Sequence, residues 1–571
     1  MMAAVQHADD LQRTRRTLGS VYTPPLLATW LAGELARRLP SRDRLRILDP
    51  ACGEGVLLRA VLDATDQPLT VAGIDRDGRA LQRARTVLPA DALLVQADAL
   101  TLPRFGLNDQ ATPQRDNGRP NAVIANPPWG AEVPHSRAAL QAAHFTLAQG
   151  QFDSFELFIE LSLGLVEESG VLAFIIPDAV FLPEHRALRR LLVDTTQLLL
   201  IARLGEGFFD GVYRGTTILV CRRARAPDDH TVRCFRLDKQ WRKRVLAGAA
   251  TLEQAQARLA HDVPQQHFAR DPEARFDIDL RRQEHSIVKR LEQASLPWRR
   301  WLVTGRGVEI SKYGAVLCCP HCGVGTPAPR QPRLLQCAGC ARPFRSESAR
   351  RERIVRADGS PDPNWRPLIA GEDVERYRCH PSRQIRLGVP GINYKTPETF
   401  AARKLLVRKT GVGLKAAIDD SGAYTTQVVF HYSVPPRLPA PPFLLDYLLG
   451  VLCSRVMLAY HLKRWGENEW RSHPYVTQRI LSALPVPDLA PGAWQWRQAQ
   501  AIATAVDARR RVNRHDGDED LAVERLVAGL YGLTDADCAW VLQVLEDAEA
   551  LEPIRTLRLS DPRLLRPVLA Q

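Results

Sequence analysis

Residues 122–129 read AVIANPPW, a short apolar run that gives way to a polar residue, two prolines and a tryptophan. Ala122 to Ala125 suit a buried strand, but prolines cannot donate to a sheet ladder, so pairing must stop at Asn126. Asn126 is thereby left at a strand's carboxyl end, where open α/β sheets bind their ligands. Its amide oxygen and the carbonyl of Pro127, on a backbone stiffened by Pro127 and Pro128, offer two fixed acceptors. Two acceptors can grip both hydrogens of an exocyclic amino group. Such a nitrogen is a poor nucleophile because its lone pair is delocalised into the heterocycle. Accepting its hydrogens keeps electron density on nitrogen and stabilises charge as it develops. Trp129 adds a flat face on which an extruded base can stack. The competing reading of these residues is a strand followed by an ordinary Pro-Pro turn.

A second group has metal chemistry. Cys319 and Cys322, then Cys337 and Cys340, form CxxC-x14-CxxC, close to zinc-ribbon spacing. Four thiolates make a closed tetrahedral site, so a structural zinc is expected there rather than a catalytic one. Cys318 is a spare that can swap in, and His321 is expected to point outward.

The elements that must position Asn126 precede it. LRILDPACGEGVLLRAVL is an apolar strand ending in Asp49, a turn holding Gly53 and Gly55, then a helix. Glycines there let backbone approach a ligand and leave helix N–H groups free to meet it. VAGIDRD ends a second strand in Asp75, well placed for ribose hydroxyls in a βαβ unit. ALLVQADAL ends a third in Asp98, within reach of an adenine edge. Any one of these acids can instead be a helix cap; three in succession favour a nucleoside pocket. Upstream, Thr23 and Pro24 make a helix-start signal before an amphipathic run from Leu26 to Leu39.

The order TPP, DPACGEG, GIDRD, ADAL, NPPW resembles the gamma class of S-adenosylmethionine-dependent DNA adenine-N6 methyltransferases, the Taq-type enzymes. The resemblance implies an α/β fold, with a Rossmann-like methyltransferase sheet and flanking helices, plus an α+β specificity domain carrying the zinc ribbon. It places Thr23 and Pro24 at the cofactor's methionine end, and Asp49, Ala51, Gly53 and Gly55 in the first cofactor motif. Asp75 matches the ribose-binding acid, Asp98 the adenine-binding acid, and Asn126 to Trp129 the catalytic motif. It also puts Phe145 on the adenine pocket. The stretch LLLIARLGEGFFDGVYRGTTILVCRR resembles the family's closing hairpin, whose aromatic clamps the flipped base; Phe209 is the choice, with Phe208 the alternative.

The catalytic domain is expected to span 1–225 and a helical bridge 226–300, with phosphate contacts around Arg281 and Arg299 or merely a solvated face. Residues 301–490 resemble the Taq-type specificity domain, with the ribbon at 315–345. Arg408, Lys409, Lys415 and Tyr424 suit phosphate and base contacts, or a polar β surface. Residues 491–571 read as a helical tail.

Composition bounds the rest. The 571 residues carry 77 basic and 64 acidic side chains, a net charge of +13 that favours a polyanionic partner. That partner is expected to be double-stranded DNA. Eleven cysteines with two CxxC pairs suit a reducing compartment. Without a long apolar run or a signal-peptide start, a cytoplasmic protein with no membrane partner is expected. The cofactor motif begins near residue 20, leaving no room before it for a nuclease. A modification enzyme of a restriction or phage-defence system is therefore expected, with any nuclease on another polypeptide. The alternatives are amino-methylation of RNA or of a protein glutamine, of cytosine N4, and a non-catalytic DNA-binding protein.

Overall fold

The computed structural model describes residues 23–571 except 102–117, 151, 211–213, 282–283, 294–297, 312–313, 330, 332, 358–361, 412, 466–474, 513–516, 549–553, 555 and 571. The chain divides into two compact units, Met1–Gln283 and Glu284–Gln571.

Unit 1 is built on one nine-stranded sheet, in the order β3-β2-β1-β4-β5-β7-β6-β8-β9. Its first five strands are β1 (Leu45–Asp49), β2 (Leu69–Asp75), β3 (Leu93–Gln96), β4 (Ala122–Ala125) and β5 (Val171–Pro177). All five run parallel, and β4 and β5, in the interior of the sheet, are buried without alternation, as strands covered on both faces must be. The covering helices include α1 (Pro25–Ala36), α2 (Val56–Ala64), α3 (Gly78–Val87), α4 (Ser154–Leu165) and α5 (Arg186–Thr195). Helix α1 opens with proline in its first turn and buries Leu27, Trp30, Leu31 and Leu35.

The join between β1 and β4 is short. Ile47 stands opposite Ala122 and Leu48 opposite Val123. Asn121 lengthens it: its Oδ1 accepts the Arg46 N–H at 2.7 Å and its own N–H donates to the Arg46 carbonyl at 2.8 Å.

Residues 226–281 are not the helical bridge expected from their charge. Strands β6 (Gln197–Gly205), β7 (Thr216–Arg222), β8 (Thr231–Arg236) and β9 (His261–Pro264) complete the sheet, so the unit extends to Gln283 rather than ending at 225. The buried Arg189 of α5 fastens this extension. Its guanidinium donates to the carbonyls of Val180, Leu182, Glu273 and Ala274 at 2.6–3.1 Å. Of the two arginines expected to touch phosphate here, Arg281 is exposed, and the side chain of Arg299 lies outside the described residues.

Unit 2 contains two four-stranded sheets, the ribbon and a group of helices. Residues 491–571 are part of it rather than an appended tail. Arg376 donates to Asp520 at 2.5 Å and to Glu524 at 2.6 Å, and Arg455 donates to Asp520 at 2.8 Å. Both carboxylates and Arg455 are buried, and buried charges persist only when matched in this way. Tyr424, expected on a nucleic-acid surface, is 5% exposed and packs on Phe400 with ring centroids 4.3 Å apart. It is a core residue, because its short strand faces inward. Arg408 is half-exposed and its Nε donates to the Thr410 carbonyl at 2.5 Å. No single described helix is long and apolar enough to cross a membrane.

Removing Asp520 leaves Arg376 and Arg455 sharing the single carboxylate of Glu524. Asp520→Ala should therefore cost unit 2 about 3–5 kcal/mol, read as a lowered denaturation midpoint. A loss under about 1 kcal/mol would show that the network is solvated.

Candidate active site

Parallel strands open their carboxyl ends along one edge, and the strand order reverses between β1 and β4. A cavity of about 1060 Å³, counted to its open mouth, lies there. The three strand-end acids Asp49, Asp75 and Asp98 line it, with Ala51 and Gly53 of the glycine turn; Thr23, Asn126 and Pro128 are also on its wall. Pro24, Gly55, Pro127, Trp129 and Phe209 are not on that wall.

The glycine turn works in two ways. Gly53 has φ +52° and a Cβ there would meet nothing within 4 Å, so its surface is clear for a ligand. Gly55, at φ +78°, caps α2, and a Cβ there would lie 2.9 Å from Leu88. The Gly53 N–H donates to Asp75 Oδ2 at 2.7 Å and the Asp77 N–H to Asp75 Oδ1 at 2.8 Å. Two backbone donors thus fix the Asp75 carboxylate, while burial pushes its pKa up. Asp49 is 1% exposed and accepts the Ala51 N–H at 3.0 Å. Burial, against that hydrogen bond and with the charge of Asp75 beside it, pushes its pKa up to about 8.

Asp98 has partners that its motif did not reveal. His135 Nε2 lies 2.8 Å from its Oδ2 and Arg76 Nε 3.7 Å from the same atom. The Leu100 N–H donates to Oδ1 at 3.1 Å. Phe145 is buried but off the cavity; the aromatic on the wall is Phe158 of α4.

Asn126 follows the last residue of β4, and its Nδ2 donates to Thr23 Oγ1 at 3.0 Å. The Thr23 hydroxyl is therefore committed to the strand end, and α1 starts on Pro24 and Pro25 with no side-chain cap. The loop after Asn126 is strapped to the start of α4. Ser154 Oγ donates to the Pro128 carbonyl at 2.6 Å and accepts the Ala131 N–H at 3.2 Å; Asp153 Oδ1 accepts the Gly130 N–H at 2.6 Å. Arg214 lies 3.4 Å from the other oxygen of Asp153. The segment DSFE carries a capping-box signal that locates this helix start, but not its loop partner. Trp129 and Phe209 are both buried and pack edge to face, with centroids 5.0 Å apart and planes at 73°. Of the two candidate phenylalanines, Phe209 is the one whose ring meets Trp129.

In unit 2 the four predicted cysteines converge, with all Sγ atoms within 4.8 Å of one another. Cys319 and Cys340 are 3.7 Å apart and Cys322 and Cys337 3.4 Å. A zinc tetrahedron with bonds of about 2.3 Å needs sulfurs about 3.8 Å apart. N–H groups of His321 and Gly339 point at Cys319 and Cys337, at 3.4 and 3.3 Å. Cys318 stands outside the cluster, 3.9 Å from Arg350, and His321 is exposed.

The raised pKa of Asp49 has a sign. Folding holds its proton more tightly than the unfolded chain does, so that stabilisation is fully present below pH 3.8 and lost as pH rises through about 8. Asp49→Asn cannot ionise and escapes the loss. Between about pH 5 and about pH 9 the variant should gain on the parent by on the order of 4 kcal/mol, measured by denaturation of ligand-free protein. A difference independent of pH would contradict the burial of this carboxyl group.

Known proteins share both halves of this arrangement. Residues 96–209, from the end of β3 to Phe209, match the Eco57I restriction-modification methylase family, and residues 366–486 match the TaqI-like C-terminal specificity domain. Type II methyltransferase M.VspI of Vibrio sp. (strain 343) is 23% identical over 296 residues, covering 50% of this chain and 65% of its own. A second Type II methyltransferase, from Thermus thermophilus, is 28% identical over 171 residues, 28% of this chain and 35% of that one. The chain thus spans less than two thirds of the length of either relative. The structure of the Type IIL restriction-modification enzyme MmeI in complex with DNA shares the fold, with a TM-score of 0.52 at 12% identity over 94% of this chain and 80% of that one. One chain therefore carries both a segment that matches the restriction-modification methylase family and a segment that matches the TaqI-like C-terminal specificity domain.

Proposed function

We propose that the protein is a site-specific DNA methyltransferase that moves a methyl group from S-adenosylmethionine to adenine N6 in duplex DNA, with the adenine flipped out of the helix. One observation carries the reading: Asn126, at the end of β4, lines the same cavity as Asp49, Asp75 and Asp98.

The residues fit the cofactor. Asp75, held by two backbone N–H groups, keeps lone pairs for ribose hydroxyls, and Gly53 leaves its side of the turn clear. Asp98 faces the adenine edge, with His135 and Arg76 fixing its carboxylate. Thr23, on the cavity wall, serves the methionine end, and Pro24, off that wall, starts the helix behind it. Asp49, buried, and Asp75, half-buried, set two carboxyl groups with raised pKa beside a cavity, which a cationic ligand relieves. The cofactor supplies an electrophilic methyl group on a sulfonium.

Asn126 Oδ1 and the Pro127 carbonyl accept the two N6 hydrogens, keeping the nitrogen lone pair directed at the methyl carbon. On methyl transfer, with the C–S electron pair left on the departing sulfur, positive charge would grow on N6, and these two acceptors would stabilise it until one proton leaves to water. Thr23 and the Ser154–Asp153 strap hold Asn126 and the Pro128 loop in place. Trp129 and Phe209 form the aromatic wall for the flipped base.

Double-stranded DNA is the partner, read by unit 2, and the protein works in the cytoplasm as the modification component of a restriction or phage-defence system. A dedicated specificity domain is what separates this reading from methylation of RNA or of a protein glutamine, where none is needed. Cys319, Cys322, Cys337 and Cys340 hold one structural zinc.

Asn126→Ala should lower single-turnover methylation of duplex DNA roughly 100- to 1,000-fold with little loss of DNA affinity, since it removes a contact that strengthens in the transition state. Near-normal turnover would return residues 126–129 to a structural turn. Metal analysis of protein purified under reducing conditions should find one zinc per chain, lost in Cys337→Ser; metal-free protein with an intact unit 2 would refute the ribbon.

A further inference from the structure

The ribbon lies outside both family-matched segments, and its composition is unlike the rest of the chain. Residues 330–356 hold eight arginines against two glutamates, a net charge of +6 out of +13 for the whole protein. This concentration has a structural order. In the hairpin Leu334–Gln336 and Pro343–Arg345, Leu335 faces Phe344 and both are buried, while the residues flanking each are exposed. The buried pair joins Leu317, Cys319 and Cys337 in a small core of its own. Period-two alternation therefore turns Arg345 outward, and Arg333 and Arg342, just beyond the two ends of the hairpin ladder, are exposed as well. On the neighbouring sheet, Arg351 and Arg353 are exposed two residues apart on the strand Arg350–Arg353.

None of these five arginines is in an ion pair among the described residues. The nearby Glu352 is already engaged by Arg350 at 2.6 Å and Arg386 at 2.7 Å. Elsewhere in the chain exposed arginines do find acids: Arg403 with Asp446, Arg214 with Asp153. A small core of its own that carries exposed, unmatched guanidinium groups on both of its sheets is suited to a repeated anion, and poorly suited to an apolar partner.

We propose that the ribbon is a second DNA-binding element, gripping backbone phosphates of the duplex through Arg333, Arg342, Arg345, Arg351 and Arg353. It rests on the proposed function for the identity of the polyanion. Phosphate contacts add affinity and fix position without reading sequence, so the ribbon supplies grip and the domain at 366–486 supplies selection.

The test is equilibrium binding of the full-length protein to a duplex with its target sequence and to one without, across a salt series. Arg333→Gln/Arg342→Gln/Arg345→Gln keeps the buried faces intact, and Arg351→Gln/Arg353→Gln repeats the test on the other sheet should the first variant misfold. For the triple variant the log–log salt slope should become shallower by roughly 2 to 3, at about 0.9 per contact, with both duplexes weakened by the same factor, roughly 10- to 100-fold at low salt. An unchanged slope in a folded variant overturns the proposal and leaves the proposed function standing. A loss confined to the target duplex, or seen only with single-stranded RNA, also overturns it. If the parent protein binds neither duplex, the functional reading itself fails, and the phosphate grip with it.

Discussion

The position of Asn126 rests on a two-residue stretch of parallel pairing between β1 and β4, which Asn121 lengthens by bonding both sides of Arg46. That pairing sets the height at which β4 ends relative to Asp49. A slip by one residue would turn every β4 side chain to the opposite face and move the strand end away from the cavity. Pro127 and Pro128 then stop the ladder one residue after the strand, so no further pairing can draw Asn126 into the sheet. The catalytic proposal is thus a consequence of where a sheet ends.

The same edge gathers carboxyl groups. Asp75 lies close enough to disfavour ionisation of Asp49, and burial adds the larger part, leaving Asp49 with a pKa of about 8. Backbone N–H groups of Gly53, in the glycine turn, and of Asp77 offset part of this cost at Asp75. Unit 2 shows the opposite arrangement: the buried carboxylates of Asp520 and Glu524 are matched by Arg376 and Arg455, and the network holds residues 491–571 in the unit. Matched charge there serves the fold.

Features enforced by local chemistry were legible in the sequence. Prolines after an apolar run, acids at three successive strand ends and the CxxC spacing each have one dominant structural outcome, and the cavity and the sulfur cluster reproduce them. Contacts between distant residues were not legible. Thr23 meets Asn126 across 103 positions and His135 meets Asp98 across 37, and nothing in either local pattern names its partner. Charge misled at 226–281, where TVRCFR alternates with a period of two but lies among helix-prone arginines, so β8 was hidden by its neighbours. Tyr424 was misplaced for the same reason: a basic, aromatic stretch reads as surface, whereas packing on Phe400 makes this ring core.

The central claim is the identity of the methylated atom. The direct measurement is to incubate purified protein with S-adenosylmethionine carrying an isotopically labelled methyl group and a mixture of duplex DNA, RNA and protein, then digest each to monomers and locate the label by mass spectrometry. The account predicts label on N6-methyladenine from the DNA, confined to one short sequence context. Label on cytosine, in RNA or on glutamine, with none on adenine, would contradict it.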